Sequence, residues 1–416
     1  MKKRDLRQSF ISIFYRREYI PVIILLCVSI LVGSFLTTIP SQSAVAEHMT
    51  AAQSQSIRLI FDNPLNAPYK FASYLLLTLS PSVRMVRAVS FIFFVAASVS
   101  VFYALKHWHT LRASLLASLA FTTNAVMLGT ARLGTPLITA VSFYVFASFL
   151  LWQLHTRSNK AVPIVVFVAL SALLYTPGVF WFLLILSIVY WKNIKKLFMN
   201  VKRQALLVGM LCALIIMFPL LFSFVRDARQ LADWLLLPTS VDWNTIPRSI
   251  LRVPSAFIYR MPVESLINVS RLPVFDLASG FLFLIGLHAY RKNLRLDRVR
   301  VMIGSALAGI IIGAFGQVLV AIVMLIPFAF SVIAAGIEYL LDQWNSVFPR
   351  NPYAKSFGFI MVTTVVLFGS YYQLSRFLVV WPQTPQTREI YDQPRIIHGA
   401  LRTDTMIIIK MGDTRT

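Results

Sequence analysis

The sequence predicts an all-α polytopic integral membrane protein, and its composition and charge pattern carry that prediction. The chain of 416 residues is 57% hydrophobic and only 13% charged, with a mean hydropathy of +0.71. Because soluble domains carry about 25% charged residues, a chain of this composition uses lipid as its solvent. The net charge of +23 comes from Lys and Arg residues between apolar runs, so it indicates membrane sidedness and not nucleic-acid binding.

Six basic clusters divide the chain, and short cytoplasmic loops are where Lys and Arg collect. If all six face the cytoplasm, the apolar runs between them leave and return in pairs. This gives about 11 membrane segments, a cytoplasmic N-terminus and an extracytoplasmic C-terminus. The clusters lie within residues 1–17, 106–112, 157–160, 192–203, 291–300 and 350–355.

The membrane segments follow from this pairing. Residues 20–40 form an apolar run longer than the core of a signal peptide, so we expect an uncleaved anchor although Ala44-Val45-Ala46 resembles a cleavage site. The other predicted spans are 86–105, 113–130 with 136–154, 205–224 with 277–290, 301–341 with a turn near 313–317, and 357–378.

The run 161–191 has basic clusters at both ends, which a single crossing would place on opposite sides. Tyr175-Thr176-Pro177-Gly178 resolves the conflict, since Pro-Gly ends a helix and starts a turn. Two arms of about 14 residues, or roughly 21 Å each, are too short to cross fully. We therefore expect a recess open to the outside.

These spans predict one transmembrane domain, 1–378, with large outer loops at 41–85 and 225–276, and a short outer tail, 379–416. In the first outer loop, apolar residues at helical spacing predict an amphipathic surface helix within 41–58, and 69–79 predicts a second.

Two acids of the first outer loop are candidates for a general base. Glu47 lies a few residues beyond the first span, and Asp62 is the next acid along the chain. An acid close to the lipid surface has the position that a base for a lipid-linked substrate needs. The alternative is a solvated helix residue for Glu47 and a turn-initiating Asp-Asn-Pro for Asp62.

Arginines on the outer side are candidates for phosphate contacts. Arg84 and Arg87 lie at the outer mouth of the second span, where anchoring by snorkelling is the alternative. Arg132 lies in a short outer turn flanked by apolar residues. The second outer loop has six arginines, including Arg260 and Arg271, and no lysine, which suits bidentate phosphate binding. Interfacial anchoring of that loop by Arg, Trp and Tyr is the alternative.

Searches for other chemistry find no motif. The sequence has no Walker A sequence, no GxGxxG after a strand, no HExxH and no GxSxG. Cys27 and Cys212 lie in apolar runs and indicate neither a disulfide framework nor a metal cluster. Few ionisable residues lie in the middle of a span, so ion-coupled transport has little support.

The order of these parts resembles the GT-C superfamily of polytopic glycosyltransferases, and is similar to its aminoarabinose and protein O-mannosyl transferase branch. The resemblance spans most of the chain. It includes the early acid of the first outer loop, the break at 175–178 and the following segments: Pro64-Leu65-Asn66-Ala67-Pro68-Tyr69, Arg87-Ala88-Val89-Ser90, Ala131-Arg132, Leu325-Ile326-Pro327 and Ala335-Gly336-Ile337.

Three departures from that branch concern the site. The two adjacent acids that this branch has after the first span are replaced by Ala46-Glu47. Its His-Pro-Pro-like element is replaced by residues 63–68. The acid that it has soon after the arginine of the outer turn is absent, and Gly134-Thr135-Pro136 stands in its place. The architecture is therefore better supported than the activity.

The resemblance implies an inverting transfer of a sugar from a polyprenyl-phosphate carrier to an extracytoplasmic acceptor. It implies Glu47 as the base with Asp62 second, and Arg132 and Arg271 as residues that neutralise the departing phosphate. Arg84, Arg87, Arg260 and Tyr69 complete the implied substrate-binding set. It implies no certain cofactor, and it allows a divalent metal although one or two carboxylates are a small ligand set.

From this interpretation we expect a multi-pass protein of a bacterial plasma membrane whose partners are a polyprenyl-phosphate-linked sugar and membrane lipids. We also expect the Glu47 carboxylate to face a cavity lined by Arg132 and the loop of residues 226–275 instead of water, and Arg132 and Arg271 to share one cavity. A non-catalytic GT-C-like protein that handles polyprenyl-linked lipids stays open as the alternative, because the acidic pair is missing. A transporter has less support, since inverted repeats are not evident.

Overall fold

The computed structural model describes residues 19–36, 43–141, 162–200, 203–238, 246–262, 266–269 and 271–392. Within these ranges the chain forms helices and turns and no strand. The first half contains α1 Tyr19–Leu36, α2 Val45–Gln53, α3 Ile57–Asp62, α4 Ala67–Leu79, α5 Val83–Trp108, α6 Leu111–Thr123, α7 Ala125–Arg132, a 3-10 turn Pro136–Ile138, α8 Val162–Leu173, α9 Val179–Val189 and α10 Trp191–Asn200.

The second half begins with α11, which precedes the second outer loop. Its helices are α11 Arg203–Arg226, α12 Ala228–Leu235, α13 Ile246–Ile250, α14 Arg252–Ile258, α15 Leu277–Arg291, α16 Asp297–Ala314, α17 Val318–Val347, α18 Pro352–Ser375, a π-helix Arg376–Val380, α19 Trp381–Gln383 and α20 Pro385–Asp392.

The chain is a multi-pass membrane protein. Four helices among the described residues are long and apolar enough to cross a membrane, and α6 with α7 forms a fifth candidate span that is bent by 55°. The four are Arg84–Trp108, Arg203–Arg226, Val318–Val347 and Pro352–Gln383. The remaining apolar helices, in α1, α8, α9 and α15, are shorter. The count of about 11 segments stays a prediction, and most of the predicted span 136–154 lies outside the described residues.

Helix α17 is the centre of the bundle. The apolar stretch of α17 is 83% buried, whereas that of α11 is 11% buried. Helices α15, α16 and α6 pack around α17. The α15–α17 contact is close because Gly286 lies against the Val332 carbonyl, where a Cβ would overlap it. Small residues that allow backbones to approach are the usual means of packing helices in lipid.

Segments that the basic clusters assign to the outer side of the membrane lie together at one end of the bundle, which we call the Glu47 end. There the Asn66 N–H donates to the Tyr175 carbonyl at 2.8 Å, and the Gly178 N–H donates to the Trp234 carbonyl at 2.8 Å. The break at 175–178 is thus confirmed, and both outer loops supply its backbone hydrogen bonds. At the other end, the Thr110 N–H donates to Glu338 at 3.0 Å. Which end faces the cytoplasm stays a prediction.

The surface helix predicted within 41–58 is present as α2. The chain breaks after it, because Ser56 caps a separate helix, α3, by accepting from the Leu59 N–H at 3.3 Å. The third span bends at Asn124, whose side chain accepts from the Val126 and Met127 N–H groups. This is N-cap chemistry inside an apolar run. The last span also continues beyond residue 378, to Gln383.

Candidate functional site

Glu47 lies in the first turn of α2, directly after the first apolar helix, and its side chain is completely buried. Its Oε2 accepts a hydrogen bond from the Ala44 backbone N–H at 2.9 Å. An acid at this position of a helix satisfies an N–H group that the helix itself leaves unpaired. The local sequence therefore turns the carboxylate back towards the start of α2, and into the protein.

Arg87 and Arg132 surround this carboxylate. Arg87 on α5 is bidentate, with its Nε 2.8 Å from Glu47 Oε1 and a terminal nitrogen 2.9 Å from Oε2. Arg132 at the end of α7 has a terminal nitrogen 3.9 Å from Oε1, and the Gly134 N–H donates to the same oxygen at 3.0 Å. Glu47 thus faces Arg132 instead of water, and both of its oxygens accept from N–H groups.

This environment keeps Glu47 ionised. Burial by itself would raise the pKa of the carboxyl, but the charges of Arg132 and Arg87 and the Gly134 N–H outweigh burial, so the pKa is lowered. A carboxylate that binds cations so firmly is a weak base. Its role as the general base stays a prediction, and a base at this position must first release one of its partners.

Arg132 is covered by two aromatic rings that sequence reasoning missed. Its guanidinium carbon lies 4.4 Å from the centre of the Tyr391 ring and 5.5 Å from the Trp381 ring. The Tyr391 hydroxyl donates to the Leu266 carbonyl at 3.0 Å. Burial raises the pKa of Tyr391 to about 12, although the charge of Arg132 acts in the opposite direction. Trp381 and Tyr391, two aromatic residues of the predicted outer tail, were the signal that could have indicated these rings.

Tyr69 lies close to this cluster and has a packing role in the structure. It is completely buried, and its hydroxyl lies 2.7 Å from the Ser90 Oγ and 3.2 Å from the Val86 carbonyl oxygen. Ser90 in turn donates to the Leu133 carbonyl at 2.7 Å. Tyr69 therefore connects α4 to α5 and to the turn that carries Gly134. Its predicted contact with substrate is untested.

The other predicted site residues are exposed. Asp62 at the end of α3 pairs with Arg226 at 3.4 Å, and both side chains are more than half exposed. Arg84, Arg260 and Arg271 are exposed as well. The structure puts Arg132 in the core and Arg271 at the surface, so it does not bring these two guanidinium groups into one buried site. Their substrate-binding roles stay predictions.

Lys70 is a buried cation that sequence reasoning missed. Its side chain is almost completely inaccessible on α4, and its Nζ donates to the Asn63 carbonyl at 2.8 Å. Burial lowers the pKa of Lys70 to about 8. A lysine inside an amphipathic surface helix gives no signal of burial, because its burial depends on how the rest of the chain folds around α4.

The described residues give little support for a metal site. No three of their His, Cys, Asp and Glu side chains come together as a ligand set. The one buried acid of the cluster, Glu47, has N–H donors on both oxygens, which a metal ion would have to displace. The donor chemistry at Glu47 fits an anion that counterbalances arginines better than a metal ligand.

Known proteins of similar structure identify the fold of this chain. No family model and no curated protein matches the sequence. The structure is similar to ArnT from Cupriavidus metallidurans bound to undecaprenyl phosphate, with a TM-score of 0.57 at 14% identity over 86% of this chain and 76% of that one. The apo form of that ArnT gives a TM-score of 0.56 at 14% identity over 89% and 77% of the two chains.

A second solved protein has a related structure. It is an oligosaccharyltransferase from Archaeoglobus fulgidus tethered with an acceptor peptide, with a TM-score of 0.51 at 11% identity over 94% of this chain and 60% of that one. Identities this low show the fold alone. Together with the helical bundle, they show that this chain has the GT-C fold.

Proposed function

We propose that the chain is a membrane glycosyltransferase that moves a sugar from a polyprenyl-phosphate carrier to an extracytoplasmic acceptor. The observation that carries the proposal is the buried cluster of one carboxylate and two guanidinium groups formed by Glu47, Arg87 and Arg132. The GT-C fold, and the binding of undecaprenyl phosphate by the similar ArnT, support the choice of carrier.

The charge of this cluster suits a phosphate. Glu47 and Arg87 neutralise each other in a bidentate pair, and Arg132 adds one further positive charge 3.9 Å away. In a site with little water, fixed positive charge stabilises the negative charge that develops on a leaving phosphate. Arg132 is therefore the residue we assign to the carrier phosphate, and Glu47 sets its position and is the candidate base.

A second candidate function is non-catalytic binding or handling of polyprenyl-linked lipids. The observation that favours it is the complete engagement of Glu47, whose oxygens accept from Arg87, Ala44 and Gly134. In this alternative, Glu47 and Arg87 only hold the outer loop on α5, and Arg132 binds phosphate without any chemical step.

Two measurements on the full-length protein in nanodiscs separate these functions. The first is the affinity for undecaprenyl phosphate of wild type, Arg132→Gln and Arg226→Gln, in which Arg226 is an exposed arginine at the same end. We expect Arg132→Gln to weaken binding at least tenfold, since it removes a charge-assisted contact of about 1.5 to 3 kcal/mol, and Arg226→Gln to leave it unchanged. Equal affinities in all three proteins would contradict the assignment of Arg132.

The second measurement is sugar transfer from a panel of undecaprenyl-phosphate sugars. Glu47→Gln unbalances the charge, so the matched variant is Glu47→Gln with Arg87→Gln, which removes one charge of each sign. An enzyme with Glu47 as base loses transfer in the double variant while it keeps its fold and its affinity for undecaprenyl phosphate. Binding without transfer by wild type would support the non-catalytic alternative, and absence of both would refute the proposal.

A further inference from the structure

The last described segment of the chain covers the cluster like a strap. We use the name C-terminal strap for residues 381–392, which comprise α19 and α20. Trp381 and Tyr391, at its two ends, contact each other edge to face with ring centres 5.9 Å apart. Both rings lie over Arg132, whose side chain has no exposed surface. Nothing of phosphate size reaches Arg132 while the strap stays in this position.

The strap is joined to the bundle at a firm base. At its base, Arg376 in the π-helix donates to the Pro273 and Leu272 carbonyls and to the Asn268 side chain. π-Helical turns are rare and occur mostly at functional positions. Beyond the base, the Tyr391 hydroxyl ties the strap to the Leu266 carbonyl. Its outer face, with Gln386, is exposed.

We propose that the C-terminal strap is a gate that opens at the π-helix to admit the carrier phosphate to Arg132. In the closed state, the Tyr391 ring occupies the face of the guanidinium that the phosphate takes in the open state. This inference rests on the proposed function, because it assumes an anionic lipid head group as the ligand. A cation–π contact is weaker than a charge-assisted contact with phosphate, so the ligand shifts the strap towards the open state.

The gate makes an affinity prediction. If the closed state competes with binding, the apparent dissociation constant is the intrinsic value divided by the open fraction. Tyr391→Ala removes the contact that favours closure, so we expect undecaprenyl phosphate to bind about fivefold more tightly, as expected for the loss of one cation–π contact. Gln386→Ala, on the exposed face of the same helix, is the matched control and should bind like wild type.

The movement itself is measured by labelling a buried strap residue. Thr387 is fully buried, so Thr387→Cys in a protein whose Cys27 and Cys212 have been replaced by Ser reacts with a maleimide only when the strap opens. We expect the labelling rate to rise with undecaprenyl phosphate and to saturate at the concentration that saturates binding. The labelling rate also tests the gate if Tyr391→Ala fails to fold.

The outcomes separate the gate from the proposed function. If wild type binds undecaprenyl phosphate while the labelling rate of Thr387→Cys does not change, the gate is refuted and the proposed carrier stands. Weaker or equal binding by folded Tyr391→Ala also refutes the gate. If neither wild type nor Tyr391→Ala binds undecaprenyl phosphate, the proposed carrier is wrong and the gate is refuted as well. Tighter binding by Tyr391→Ala together with ligand-dependent labelling supports both.

Discussion

Substitution of Glu47 by Gln should be among the most destabilising single changes in the protein. Glu47 is fully buried between Arg87 and Arg132, and Gln removes the negative charge that both arginines face. Removing one partner of a buried ion pair costs about 3 to 5 kcal/mol, because the other charge stays buried without compensation. We therefore expect Glu47→Gln to lose about 3 to 5 kcal/mol of unfolding free energy, measured by denaturant titration of the purified protein in detergent.

The double variant with Arg87→Gln tests the cause of that loss. If the loss comes from an unbalanced charge, the double variant should be more stable than the sum of the two single changes implies, with a coupling free energy of about 2 kcal/mol or more. A loss below about 1 kcal/mol in Glu47→Gln, or strict additivity in the double variant, would refute this account of the cluster. The same cycle controls the transfer assay, since it separates lost folding from lost basicity.

Three further predictions concern single sites. Burial lowers the pKa of Lys70 to about 8 in the fold from its ordinary value of 10.5, so the folded state releases its proton first and stability rises with pH between these values. Thermal melts from pH 7 to 10.5 should show this rise in wild type and not in Lys70→Met. Gly286→Ala should lower the melting temperature strongly because its Cβ would overlap the Val332 carbonyl, whereas Gly280→Ala on the same helix, with open space around it, should be neutral or stabilising. Tyr69→Phe should cost about 1 to 2 kcal/mol of unfolding free energy through two lost buried hydrogen bonds, without a change in the protonation-dependent steps of transfer; an unchanged melting temperature would show that the hydroxyl contributes nothing.

The sequence was most informative where one physical rule decides the outcome. Basic clusters assign segments to one end or the other, and the contacts of Asn66, Gly134 and Trp234 at one end agree with that assignment. Pro177-Gly178 interrupts a helix in any surroundings, because proline lacks an N–H and glycine allows a φ of +77°. The break was predictable for that reason.

Features that depend on distant partners were not predictable. Asn124 caps α7, but its Nδ2 donates to the Val274 carbonyl, which lies far along the chain. The sequence indicated Glu47 as a base and Arg87 as a phosphate contact, but it did not indicate that the two side chains pair. Their pairing requires α2 to lie against α5. The aromatic residues of the tail do not by themselves indicate that Tyr391 returns to Arg132.

The break between α8 and α9 has a consequence for membrane insertion. Its Gly178 N–H takes its partner from Trp234, in a loop that is synthesised after both arms. At about 5 to 20 residues per second, the roughly 50 intervening residues take several seconds to emerge. For that interval the broken pair depends on water or on the insertion machinery for its backbone hydrogen bonds, because lipid offers none. Chains whose second outer loop is exported slowly should therefore be degraded early, even when every apolar segment has entered the membrane.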